Sequence, residues 1–134
     1  MPALIEDYAL LGDCHSAALV SRDGSIDWLC MPRFDSGACF AALLGDSENG
    51  HWALRPRDAF TVRRRYLPGT MVLETEFRTA TGVCLVIDCL VVGDPTPTLI
   101  RRIEGVTGSV AMGLELVIRF DYGSIVPWVR TIAD

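Results

Sequence analysis

The sequence predicts an all-β protein, an antiparallel β-sandwich carrying one short helix. Three observations lead there. Apolar and polar residues alternate with a period of two through 60–66, 71–78 and 110–120. Turn-forming groups, Asp23-Gly24, "TATG" at 79–82 and a double-proline stretch at 93–97, separate these runs at short intervals. Helical spacing supports about two turns at one place only. Short strands with frequent turns are the pattern of a sandwich.

Residues 17–29 form the first predicted hairpin: "AALVS" and "SIDWL" flank "RDG", whose Asp23 and Gly24 tolerate positive φ. Ser36 or Asp35 then caps the predicted helix, with Phe40, Leu43 and Leu44 at i, i+3 and i+4 and Gly45 as its stop. In "FTVRRRY" (60–66), Phe60, Val62, Arg64 and Tyr66 share one side while Arg63 and Arg65 face away. In "MVLETEFR" (71–78), Met71, Leu73, Thr75 and Phe77 lie opposite Glu74, Glu76 and Arg78. "VCLVIDCLVV" (83–92) is apolar on both faces, as a central strand should be. "TLIRRIEGV" (98–106) follows, and "VAMGLELVIRF" (110–120) alternates most cleanly, with Val110, Met112, Leu114, Leu116, Ile118 and Phe120 on one face. "SIVPWVRTIAD" reads as a further strand under way, so the sequence looks cut from something longer.

A chain of 134 residues has room for one domain with a real core, and residues 1–134 are read as that single unit. Half of them are apolar and 22% charged, which excludes disorder. No run approaches the ~18 consecutive apolar residues of a membrane span, so no membrane partner is expected. A net charge of −5 is the wrong sign for gripping phosphates, so nucleic acid is not expected either. The opening "MPALIEDYALLGDC" lacks the basic and apolar regions of a signal peptide, and five cysteines form an odd set without repeated spacing. Both features predict a cytoplasmic protein with reduced thiols.

The residues that could carry chemistry are weighed in turn. Cys14, His15, Cys30, Cys39 and His51 lack the paired knuckles of a zinc site, so no metal or other cofactor is predicted. Cys14 and His15 are adjacent on an extended chain and point to opposite faces, which denies them a nucleophile–base bond. Glu74 and Glu76 stand ~6.8 Å apart by strand rise, within the range of an inverting glycosidase pair, but a solvated strand face accounts for them as well. Asp88, inside an apolar strand, is expected to accept structural hydrogen bonds or to face a second element. No glycine-rich phosphate cradle is present in the sequence.

One stretch combines motifs that are hard to assemble by chance. "IEDYALLGDCHSAALVSRDGSIDWLCMPRFDSGACFAALLGD" resembles the opening of bacterial and archaeal enzymes of glycoside hydrolase family 15, the glucoamylase-type and trehalase-like hydrolases. "RRYLPGTMVLETEF", "IRRIEGVTGSVAMGLEL" and "RFDYG" continue the likeness in the same order, so it covers essentially the whole chain. His15 and Gly37 depart from the common pattern.

The resemblance implies a non-catalytic N-terminal domain, a supersandwich-like β-structure of which this chain is the whole or a part. Its partner is then a catalytic barrel of paired helices, where such enzymes keep the general acid and general base. No helical repeat occurs in this sequence, so the resemblance assigns no catalytic residue and the chain alone is expected to be inactive. It implies further that the loop "IDWLCMPRFDS" lies against the barrel near its substrate end. There Trp28 and Phe34 would offer apolar faces to a sugar, an α-glucoside or trehalose, or to a barrel helix, and Arg33 and Asp35 directional hydrogen bonds. The same four residues could equally fasten the loop to the sandwich. A rival reading is a stand-alone β-sandwich that binds carbohydrate or mediates assembly. An apolar half-composition and an uncovered sheet edge also predict self-association of the isolated chain.

Overall fold

The structure, a computed structural model, describes residues 3–133. Ten strands pair entirely antiparallel: β1 (Ala9–Gly12), β2 (Ala17–Val20), β3 (Ser25–Cys30), β4 (Ala38–Phe40), β5 (His51–Pro56), β6 (Thr61–Tyr66), β7 (Leu73–Arg78), β8 (Gly82–Leu90), β9 (Leu99–Gly108) and β10 (Met112–Val117). One sheet runs β1-β2-β3-β5-β10 with β4 added to β3, and the other runs β6-β7-β8-β9. The two sheets pack face to face as a sandwich, as the period-two pattern predicts.

The inward positions of both sheets supply the core. Leu11, Val20, Ile26, Leu29 and Phe40 of the first sheet meet Leu73 and Leu90 of the second. A second cluster joins Leu54 to Phe77, Cys84 and Val86, with the Phe60 ring edge-on to Phe77 at 5.0 Å. Central strand β8 turns Cys84, Val86, Asp88 and Leu90 inward and keeps its other face half-buried. Among the described residues no helix is long and apolar enough to cross a membrane.

Polar contacts fasten the sheets as well. The Arg101 side chain on β9 is fully buried and pairs with Asp88, Nε to Oδ1 at 2.8 Å and a second guanidinium nitrogen to Oδ2 at 3.2 Å. Its remaining donors cross to the other sheet, to the carbonyls of Trp52 at 2.6 Å and Gly24 at 2.9 Å. Arg64 on β6 likewise reaches the carbonyls of Val20 and Asp7, and the Tyr66 hydroxyl bonds both backbone groups of Leu10.

The helix expected near 36–45 is absent. Phe40 instead pairs across from Leu29 in β4 and enters the core, and only a 3-10 turn at Ala42–Leu44 follows. Three apolar positions at helical spacing do not outweigh strand pairing beside β3, and Leu44, assigned to the apolar stripe, is left in solvent. The apolar face of 110–120 is present but not fully covered. Met112 and Ile118 pack inward, whereas Leu114, Leu116 and Phe120 are exposed.

Candidate functional site

β3 leaves the sheet at Cys30 and enters the loop 31–37, which returns as β4. This loop leans on its neighbour at 13–16. The Phe34 N–H donates to the His15 carbonyl at 2.9 Å, and the Ser16 hydroxyl donates to the Cys30 carbonyl. The neighbour is itself closed by Asp13, whose Oδ1 accepts the N–H groups of His15 at 2.8 Å and Ser16 at 2.7 Å. Burial pushes the Asp13 carboxyl up, but these backbone donors outweigh it and hold the group below its ordinary value. Asp13 is thus a charged strut beneath the loop.

At the loop tip Arg33 and Asp35 form a two-point ion pair, at 3.0 and 3.2 Å, with both side chains about 70% exposed. The Arg33 N–H is held by the Ser36 hydroxyl, and the Ser36 N–H returns to the Arg33 carbonyl. Phe34 stands beside them, 62% exposed. These three expected site residues therefore share one solvent-facing tip. Trp28 does not join them. It is half-buried against Cys30, Ala38 and Ala41, and its ring lies tilted against Tyr122 of the "RFDYG" segment, with centroids 5.9 Å apart.

The other candidate groups are committed to one another. Glu74 pairs with Arg65 across β6–β7, and Glu76 with Arg78 along β7, each at 2.7 Å. Both carboxylates lie on a strand face laced with arginines, not in a cleft that could hold a sugar between an acid and a base. All five thiols are free, and burial pushes Cys30, Cys84 and Cys89 up and Cys39 up to about 11, so these four are protonated at neutral pH. Among the described residues no three His, Cys, Asp or Glu groups converge to hold a metal ion.

Several concavities lie outside what the sequence predicts, and two of them hold buried polar groups. A polar hollow of about 450 Å³ is lined by Asp23, Ser25, Asp27, His51, Arg55 and Glu115. Its buried carboxylate, Asp27, accepts the Tyr8 hydroxyl at 2.7 Å and the Ser25 hydroxyl at 2.5 Å. Burial first, and the bond to Asp27 next, push the Tyr8 hydroxyl far above its ordinary value. The alternation Asp23, Ser25, Asp27 along "DGSID" was the available signal for this polar row. The second is an apolar cleft of about 520 Å³ between the sheets, lined by Leu29, Phe40, Trp52, Leu99, Leu116 and Ile118. Trp52 Nε1 is buried there and has no hydrogen-bond partner among the described residues.

Comparison with known proteins agrees with the whole-chain likeness. The family described as "Trehalase-like, N-terminal" matches residues 1–132. A trehalase of Mycolicibacterium smegmatis is 37% identical over 88% of this chain and 20% of its own length. A trehalase of Mycobacterium tuberculosis is 36% identical over the same shares. Trehalase 1 of Sulfolobus acidocaldarius is 33% identical over 92% of this chain and 21% of its own length. The chain thus spans about a fifth of the length of these curated relatives. No solved structure matches it.

Proposed function

The chain belongs to the trehalase-like N-terminal family, and from that premise we propose that it is the non-catalytic β-sandwich domain of a trehalase-type or glucoamylase-type hydrolase of glycoside hydrolase family 15. The observation that carries the reading is the family match over residues 1–132, set beside relatives about five times as long. The ion pairing of Glu74 and Glu76, each to an arginine, supports it, because glycoside hydrolysis needs two carboxyl groups free to face one sugar. Acid and base then belong to a helical barrel elsewhere in the parent polypeptide. Five free thiols, two of them buried and two half-buried, support a cytoplasmic setting.

The role proposed for the domain is to pack on that barrel and present the loop tip of Arg33, Phe34 and Asp35 toward its substrate pocket. Exposed Phe34 supplies an apolar face, and the Arg33–Asp35 fork supplies polar ones that cost little to redirect, being already in solvent. Trp28 contributes from beneath, by holding the "RFDYG" segment against the sheet.

Two measurements test the proposal. The isolated chain should release no glucose from trehalose, maltose or starch; release abolished by Glu74→Gln or Glu76→Gln would overturn it. In the parent enzyme Arg33→Ala should lower kcat/KM while leaving the melting temperature within about 2 °C, as expected of an exposed side chain. An unchanged kcat/KM with a depressed melting temperature would make the loop a structural fastening. Glycan affinity in the isolated chain, without any effect of Arg33→Ala on the parent enzyme, would favour a stand-alone binding module.

A further inference from the structure

We propose that the outer edge of β9 is a docking surface for a second copy of this chain, paired antiparallel about a two-fold axis at Ile103. β9 ends its sheet, and among the described residues no strand pairs with its outer side. It runs for ten residues, ~33 Å, with Ile100, Ile103 and Val106 exposed and open space beside Gly105. Natural edges are blunted by short length, lysine, proline or bulges. "LIRRIEGVTG" holds neither lysine nor proline, and its one irregularity lies near its end, across from Val83 and Cys84.

The charge pattern of this edge is complementary to itself in one register. With Ile103 opposite Ile103, Arg102 of each copy faces Glu104 of the other. An axis at Arg102 sets Arg102 against Arg102, and an axis at Glu104 sets Glu104 against Glu104. A slip by one residue sets Arg102 against Ile103. Cross-strand pairs of opposite charge favour a register, and like charges oppose it. In the free chain Arg102 and Glu104 already pair along their own strand, so the dimer extends this into an alternating ring of four charges. The two four-stranded sheets become one continuous sheet, and the unpaired backbone groups of both edges are satisfied. The pairing does not depend on what the parent enzyme hydrolyses.

Sedimentation of the 134-residue chain from about 1 to about 200 µM is the test, with a dimer dissociating on the order of 10–100 µM, as suits an interface at the small end of the range. Arg102→Glu and Glu104→Arg should each weaken the dimer at least about tenfold, because each sets like charges across the axis twice. An equimolar mixture of these two variants should form a heterodimer, since every cross pair is then opposite in charge. A purely internal role for the Arg102–Glu104 pair predicts no such recovery. Ile103→Lys should give a monomer, and circular dichroism checks that each variant is folded. A wild-type monomer throughout, a dimer indifferent to the charge variants, or a mixture that stays monomeric would each overturn the proposal.

Discussion

Asp88→Ala is expected to be severely destabilising. The carboxylate is 1% exposed and the guanidinium it serves is 0% exposed. Arg101 places donors on four acceptors, two of them the Asp88 oxygens and two the carbonyls of Gly24 and Trp52 in the opposite sheet. Its charge also lies 5.4 Å from the Trp52 ring centroid. Removing the carboxylate leaves a buried cation with two neutral acceptors, a change that costs about 3–5 kcal/mol. A chain of this length is stable by roughly 7–20 kcal/mol, so the loss takes a large share and lowers the melting temperature by about 10–20 °C. Urea denaturation with linear extrapolation measures it. Arg101→Met should cost a similar amount, by stranding the carboxylate. The double variant Asp88→Leu with Arg101→Met should recover most of the loss, because a pair replaced by apolar groups of similar volume is near neutral. An Asp88→Ala cost under about 1 kcal/mol, or a double variant equal to the sum of the singles, would refute the reasoning.

Two further changes probe the elements that carry the loop. Asp13→Asn should destabilise by about 1–2 kcal/mol at neutral pH, since a charged acceptor under two backbone N–H groups becomes neutral. Because the Asp13 carboxyl is depressed in the fold, its stabilisation is present above the unfolded value of about 3.9 and is lost as pH falls through the folded value, so the gap between wild type and variant should close below about pH 4. A gap constant from pH 7 to pH 3 would contradict the strut. Gly24→Ala should cost roughly 3 kcal/mol: φ is +88°, and an added Cβ would stand 2.6 Å from the Leu54 carbonyl and 3.1 Å from Phe77 Cζ. A change under about 1 kcal/mol in chemical denaturation would show that the turn can yield.

The sandwich was legible in the sequence because its strands bury one face, and a buried face forces period two. β6, β7 and β8 match their predicted runs in extent and facing, down to Arg64 turned inward among apolar neighbours. β1 and β5 carry no such signal, since "ALLG" is too short to show a period and β5 is buried on both faces at His51, Ala53 and Leu54. The helix at 36–45 failed for a tertiary reason: Phe40 gains more from the core opposite Leu29 than local spacing could offer. Asp88 was read correctly as a structural acceptor, but its partner was not readable, because Arg101 lies 13 residues away on another strand. The Arg33, Phe34 and Asp35 cluster was visible as sequence neighbours on a loop. The engagement of Trp28 by Tyr122 needs the fold, which joins residues 94 positions apart.

The same self-commitment explains what residues 12–40 can offer another surface. Asp13 is spent on its own turn, Ser16 on the Cys30 carbonyl, Asp27 on Tyr8 and Ser25, and Trp28 on Tyr122. Ile26 and Leu29 belong to the core, and Gly24 receives Arg101 from the opposite sheet. Each bond fixes the base of the loop 31–37 without using its tip. Arg33, Phe34 and Asp35 are left facing solvent, tied mainly to one another and to the backbone. The Phe34 ring is exposed and the two-point ion pair beside it lies where water weakens it, so neither adds much to holding the sandwich together. For the proposed role, a fixed base beneath a solvent-facing tip is the favourable arrangement, because side chains already positioned lose less entropy when a partner arrives.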